Sequence, residues 1–277
     1  MNLLHAILLG LVQGLTEFLP VSSSGHLVIF QNIFGIEEPM LFFDIMAHLG
    51  TLLAVFVFFR RDIAALLLAV FGRGSTTGDD TVNTTWAGSV SDGRRFALWV
   101  ILGTVPAGIA GFLLGDRLEA AFSSLAFAGS MLFVTAALLT VTDFSKKGAR
   151  TAAQSGAIAI LAIGIAQAFA ILPGISRSGS TICIAVLLGM ERREAARFSF
   201  MLAIPVILGA ALLQLKDVID SGIAVDSAPV AAGAVVAFAS GLLALKWLIT
   251  ALTRGRLVWF AAYCALAGAV AVTAAVL

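Results

Sequence analysis

Few residues in this chain can do chemistry, and they gather in two short stretches. The first carries Gln13, Glu17, Ser22, Ser23, Ser24, Gly25 and His26; the second carries Gly174, Ser176, Arg177, Ser178, Gly179 and Thr181. The inventory is a carboxylate, an imidazole, several hydroxyls and a guanidinium, with no soft-metal cluster. That set suits phosphoryl transfer: Arg177 neutralises developing charge, a serine or a water attacks, Glu17 accepts a proton or holds a metal ion, and His26 supplies acid–base chemistry. Ser23 is the favoured nucleophile because it lies three residues before His26. Ser22, Ser24 and His26 itself remain open as alternatives. An arginine among hydroxyls and glycines at a helix N-terminus makes a cradle for phosphate oxygens, with Gly174, Ser176, Ser178, Gly179 and Thr181 lining it. The competing structural reading is an ion pair between Arg177 and Glu17, since a buried charge needs a partner.

The elements that must position these groups are copies of each other. Leu11 to Ile29 and Ile165 to Cys183 superpose without a gap at a shift of 154 residues (165 minus 11), pairing Gln13 with Gln167, Ser22 with Ser176, Ser24 with Ser178 and Gly25 with Gly179. Each copy sets a proline and a Ser/Gly cluster inside an apolar run, where unpaired backbone polar groups cost several kcal/mol in lipid. A broken helix of this kind lines a polar site at membrane depth. Pro20 ends one helix, and Ser22 to Ser24 are caps for a second that carries His26 in its first turn. Gln13 and Glu17, four apart, share a helix face. An ionisable residue such as Glu17 at that depth costs about 2.5 to 3.5 kcal/mol and marks a functional site by default.

Composition places these stretches in a membrane. Of 277 residues, 60% are hydrophobic and 12% charged, half the roughly one quarter charged of a soluble domain. The apolar residues fall in blocks without polar faces, as in a polytopic all-α membrane protein. Six spans are expected near 41–59, 96–115, 124–142, 197–214, 229–250 and 257–277, with a mobile loop over 72–93. If each copied stretch is a re-entrant hairpin (1–34 and 153–189), Arg60, Arg61, Arg73, Arg94, Arg95, Lys146, Lys147, Arg150, Arg192, Arg193, Arg197, Lys246, Arg254 and Arg256 fall on one face. Arg117 and Lys216 fall on the other, the asymmetry of a cytoplasmic and an outer side. One hairpin plus three spans per half, 1–145 and 151–277 of a single domain, turns the second half upside down, an inverted-topology repeat whose tips meet near mid-membrane.

Other polar residues carry less. Asp44 and His48 share a helix face and either border the site or pair with each other. His5 reads as terminal or interfacial, and Arg192, Arg193 and Arg197 as topology determinants. Cys183 and Cys264 sit singly in apolar helices, as buried small hydrophobes. The N-terminus lacks a basic region and a cleavage pattern and is expected to belong to the mature fold. Seventeen basic against 16 acidic residues give no reason to invoke nucleic acid.

At Gln13-Gly14-Leu15-Thr16-Glu17-Phe18-Leu19-Pro20-Val21-Ser22-Ser23-Ser24-Gly25-His26 and at Pro173-Gly174-Ile175-Ser176-Arg177-Ser178-Gly179-Ser180-Thr181 the chain closely resembles the undecaprenyl-diphosphate phosphatases, the bacitracin-resistance proteins. The resemblance implies hydrolysis of the C55 polyprenyl diphosphate to the monophosphate carrier used in peptidoglycan synthesis. It also implies Glu17, Ser23, His26 and Arg177 as catalytic positions, a divalent cation (Mg2+ or Ca2+) held partly by Glu17, and a site facing the periplasm or outer side of the plasma membrane. The family's first acidic position is Gln13 here, a poorer ligand for a hard cation. The other reading is a transporter or flippase of a phosphorylated polyprenyl lipid, which moves its substrate without releasing phosphate. Whether two copies pair as a homodimer is left open by the sequence.

Overall fold

A computed structural model describes residues 1–36, 41–72, 90–146, 148–221, 227–254 and 256–276. The regular elements among these residues are all helices, in chain order α1 (Leu3–Phe18), α2 (Ser23–Ile33), α3 (Leu41–Phe58), α4 (Arg60–Val70), α5 (Val90–Phe122), α6 (Leu125–Asp143), α7 (Ala157–Phe169), α8 (Arg177–Leu187), α9 (Arg192–Ser221), α10 (Ser227–Arg254) and α11 (Val258–Val276). Helices α5, α6, α9, α10 and α11 are long and apolar enough to cross a bilayer, and α3 with α4 makes a sixth candidate bent by 75°. At about 1.5 Å per residue, α1, α2, α7 and α8 are each too short to cross the roughly 30 Å hydrocarbon layer. They are the two pairs expected as hairpins. Phe112 (79% exposed), Leu113 and Ile101 on α5 turn outward, an apolar exterior that suits lipid and would be a liability in water.

The element boundaries differ from expectation in an instructive way. Helix α4 was not foreseen, and α5 begins at Val90, so 90–93 are helical rather than loop; the rest of that loop, 73–89, lies outside the described residues. Helices α5 and α9 also run past the apolar blocks at both ends, because Arg94, Arg95 and Arg193 are good helix formers and nothing in those turns breaks the ladder. Of the basic residues used to orient the chain, Arg73 and Lys147 also fall outside the described residues. Arg197 does more than set topology: its guanidinium is buried against Asp62 on α4 and Glu194 on α9, tying those two helices together. Arg192 similarly reaches Asp143 at the end of α6, 3.7 Å away.

Packing joins helices far apart in the chain. Helix α1 lies along α10 and α7 along α5, and both contacts are so close that they exclude a side chain. A Cβ on Gly10 would stand 2.3 Å from the Gly233 carbonyl oxygen, and one on Gly164 would stand 2.5 Å from that of Gly103. Gly10 and Gly164 are themselves 154 apart. Helices α6 and α11 also pack on each other, with Gly129 and Gly268 at their contact. Small residues bring membrane helices to backbone contact in this way. The main core runs between these pairs, from Phe18 and Leu19 to Phe198, Phe200, Leu245 and Leu248.

Candidate active site

Each hairpin breaks at the point its sequence dictates. Helix α1 stops at Phe18, one residue short of the Leu19–Pro20 turn, and α2 starts at Ser23 with Ser22 as N-cap, its hydroxyl accepting from the Gly25 N–H at 3.2 Å. In the second hairpin α7 ends at Phe169 and α8 starts at Arg177, with Ser176 accepting from the Gly179 N–H at 3.0 Å. The two tips touch. A Cβ on Gly25 would stand 3.0 Å from the Gly174 Cα, and Ser178 Oγ donates to the Leu19 carbonyl at 3.2 Å.

Where the tips meet, Glu17 is the hub. Its Oε1 accepts from Arg177 Nη2 at 2.5 Å. Its Oε2 accepts from Ser23 Oγ at 2.6 Å and from Gln13 Nε2 at 3.0 Å. His48 on α3 joins them, its Nε2 3.7 Å from Oε2, while its Nδ1 donates to the Asp44 carbonyl. The residue is 7% exposed, so its charge depends on those partners. The alternative of a Glu17 to Arg177 ion pair is therefore real. It does not use up the arginine: Nη1 is buried and has no hydrogen-bond partner among the described residues, and neither has Gln13 Oε1 or Asp44 Oδ1. A buried donor left unmade costs about 1–3 kcal/mol. An anion at Nη1 relieves that cost.

Not every expected residue gathers at this hub. His26 is turned away: its Nδ1 donates to the Ser22 carbonyl at 2.8 Å, and its Nε2 meets the Tyr263 hydroxyl of α11 at 2.7 Å. Thr181 is also elsewhere, its hydroxyl bonded to Ser199 on α9 at 2.6 Å and to the Arg177 carbonyl. Gly174 has a backbone duty, with φ at +94° and an added Cβ only 2.1 Å from the Ala128 carbonyl oxygen. Ser22 and Ser24 share a 3.3 Å contact, as Ser176 and Ser178 share one at 3.2 Å.

Sequence reasoning missed three residues. Thr135 on α6 donates to the Gly174 carbonyl at 2.9 Å and accepts from the Ser176 N–H at 3.0 Å, fixing the second tip. Tyr263 holds His26. Gln167 is 1% exposed with neither amide atom partnered among the described residues; its pairing with Gln13 under the shift of 154 was the available signal. Thr135 and Tyr263 had none, because nothing in an apolar helix foretells which distant turn a hydroxyl will reach.

Comparison with known proteins adds the family. The model of the bacitracin resistance protein BacA matches residues 6–270. The chain belongs to the BacA family. Full-length BacA-like relatives named undecaprenyl-diphosphatase include those of Desulforapulum autotrophicum, 42% identical over 99% of both chains, and Desulfatibacillum aliphaticivorans, 44% identical over 99% of both. A relative of the same name in Methanosphaera stadtmanae is 40% identical over 98% of both chains. As the relatives are named as hydrolases, the comparisons give the transporter reading no support.

A hard cation fits this BacA site in a limited way. Among the described residues no three His, Cys, Asp or Glu side chains come together as a ligand set. Mg2+, however, is commonly held by one or two protein oxygens together with substrate phosphates and water. Glu17 and the unpartnered Gln13 Oε1 supply that much.

Proposed function

We propose that this integral membrane protein hydrolyses undecaprenyl diphosphate to the monophosphate and inorganic phosphate, recycling the carrier lipid for peptidoglycan synthesis and conferring bacitracin resistance. One observation carries the reading: a buried arginine at a helix N-terminus that spends one nitrogen on Glu17 and keeps Nη1 unpartnered among the described residues, beside a serine hydroxyl bonded to the same carboxylate. A carboxylate that orients both the nucleophile and the anion binder is the arrangement a phosphatase needs.

In this reading the terminal phosphate enters with its oxygens on Arg177 Nη1 and the first N–H groups of α8, where the helix dipole favours negative charge. Ser23 Oγ attacks phosphorus in line with the bridging oxygen while its proton passes to Glu17 Oε2. The P–O bond to the bridging oxygen breaks, and the lipid monophosphate leaves with the proton that Glu17 took from Ser23. Water then attacks the phosphoserine while Glu17 accepts its proton and returns it to Ser23 Oγ as the P–O bond to the serine breaks, and inorganic phosphate is released. His26 serves poorly as nucleophile, because both ring nitrogens are engaged. Glu17 and Gln13 Oε1 would hold a Mg2+ or Ca2+ ion, which would supply charge neutralisation on the phosphate oxygens.

The same reading sets the hairpins in the membrane as an inverted repeat, 1–145 and 151–277. Its support is the reciprocal packing of α1 on α10 and of α7 on α5, with Gly10 and Gly164 in equivalent roles. With the basic residues cytoplasmic, the first hairpin enters from the outer face of the plasma membrane, and the site opens to that side between helices, where an isoprenoid tail can remain in lipid. Phosphate release from C55 diphosphate in EDTA, and after adding back Mg2+ or Ca2+, tests the cation. Ser23→Ala tests the nucleophile: activity should fall about 100-fold or more. Near-normal turnover of folded Ser23→Ala would move the attack to water.

A further inference from the structure

Each tip is braced by the third span of the opposite half. Thr135 of α6 braces the second tip through direct bonds to Gly174 and Ser176. The first tip meets α11 at two adjacent residues: Cys264 Sγ lies 3.7 Å from the Pro20 carbonyl, and the Tyr263 hydroxyl lies 2.7 Å from His26 Nε2. His26 in turn donates through Nδ1 to the Ser22 carbonyl, which also accepts from the His26 backbone N–H at 3.2 Å. The bonds therefore run from Tyr263 to His26 to Ser22, the residue next to Ser23.

Ser22 is an unusual residue to hold. Its φ is +69°, the sole positive φ at a non-glycine among the described residues, whereas its counterpart Ser176 has φ −69°. A side chain in that region costs on the order of 1–3 kcal/mol and persists only where the surroundings over-determine it. The Ser22 turn decides where Ser23 Oγ points, and so whether it reaches Glu17.

We infer that Tyr263 is a positioning residue of the proposed phosphatase, acting through His26. Because a carbonyl can only accept, Nδ1 of His26 carries hydrogen, and the neutral ring presents its lone pair at Nε2. The Tyr263 O–H donates to that lone pair. It fixes tautomer and rotamer together, and the fixed imidazole pins the Ser22 carbonyl in the turn that aims Ser23 at Glu17. The ring planes of His26 and Tyr263 lie 7° apart with centroids 5.4 Å apart, so loss of the hydroxyl leaves the aromatic contact available to a phenylalanine. The role is that of an orienting partner holding a histidine, with a phenol in place of a carboxylate and a backbone turn as what the histidine holds.

The inference rests on the proposed phosphatase activity, so the test has one arm that reads activity and one that does not. Tyr263→Phe should lower kcat for phosphate release about 10- to 100-fold with KM changed less than about 3-fold and Tm nearly unchanged, as expected when an oriented group is misplaced. In a His26→Ala background the same substitution should add less than about 2-fold, since its effect passes through the imidazole. Tyr263 is the chain's single tyrosine, so 3-fluorotyrosine labelling gives one 19F resonance, expected to shift in His26→Ala and to stay in place in Ser130→Ala. Wild-type protein without phosphate release would overturn the activity, and the resonance would still report the bond. Active wild type with Tyr263→Phe at full kcat, or equal losses from Tyr263→Phe with and without His26, would overturn the positioning role.

Discussion

The two hairpin tips are built on one plan and carry different side chains. Both cap their second helix with a serine that accepts from the glycine three residues on, Ser22 from Gly25 and Ser176 from Gly179, and both place a second serine 3.2–3.3 Å from the first. These shared bonds satisfy helix ends that would otherwise lie bare inside the protein, where Ser22 and Ser176 are buried. At the positions that differ, the first tip has Glu17, Ser23 and His26 where the second has Ile171, Arg177 and Ser180. The backbone differs too, with positive φ at Ser22 in one tip and at Gly174 in the other. What repeats is the capping scaffold, and what differs is the ionisable set: Glu17 and His26 lie on one copy, and Arg177 on the other.

The sharpest way to break this division is to remove the charges that cross it. Arg177→Ala and Glu17→Ala should each reduce phosphate release by about 1,000-fold, the scale of losing a positioned charge at a phosphoryl group. The double variant should be no more than a few-fold worse than either alone, because each single change disables the same unit. Additive losses, read in steady-state kinetics, would mean that the pair does not act as one.

Next comes the scaffold. Gly174→Ala puts a Cβ 2.1 Å from the Ala128 carbonyl oxygen at a φ of +94°, and should destabilise by about 3 kcal/mol or more. A large fall in Tm in detergent is expected; an unchanged Tm would show that the tips pack less tightly than described. Thr135→Val removes two bonds to the second tip and should cost about 1–3 kcal/mol, with KM rising more than kcat falls, because α8's anion cradle is loosened. Ser176→Ala is the smallest change: loss of one N-cap, about 1 kcal/mol, with turnover within a few-fold of wild type. A Ser176→Ala loss as large as that of Ser23→Ala would contradict the split between scaffold and chemistry.

Much of this contrast is legible in the sequence because it is local. A proline, a serine cluster and a glycine three residues after the capping serine specify each break without reference to the rest of the chain. Apolar blocks specify the spans for the same reason. Arg177 and Glu17 were individually legible as charges out of place in lipid, and each is a plausible partner for the other. The bonds from Tyr263 and Thr135 were not legible, since they join residues 237 and about 40 positions apart and depend on how α11 and α6 rotate about their axes. Helix α4 fell between the span expected to end near 59 and the loop expected from 72, where Arg60 and Arg61 counted only as charges that orient the chain; its tie to α9 through Asp62 and Arg197 is a tertiary contact. His26 was legible as a residue of the first turn of α2, and its contact with Tyr263 was not, because a residue in the first turn of a helix can face either the facing tip or the next span, and spacing alone does not choose.

The central claim is that Arg177 and Glu17 form one phosphate-handling unit across the tips. Its most direct test is inorganic phosphate release from undecaprenyl diphosphate by the purified protein in detergent, wild type beside Arg177→Ala, both shown to be folded by matching Tm and elution. The account predicts sustained release by the wild type and a loss of about 1,000-fold in the variant. Equal release from both proteins would contradict it.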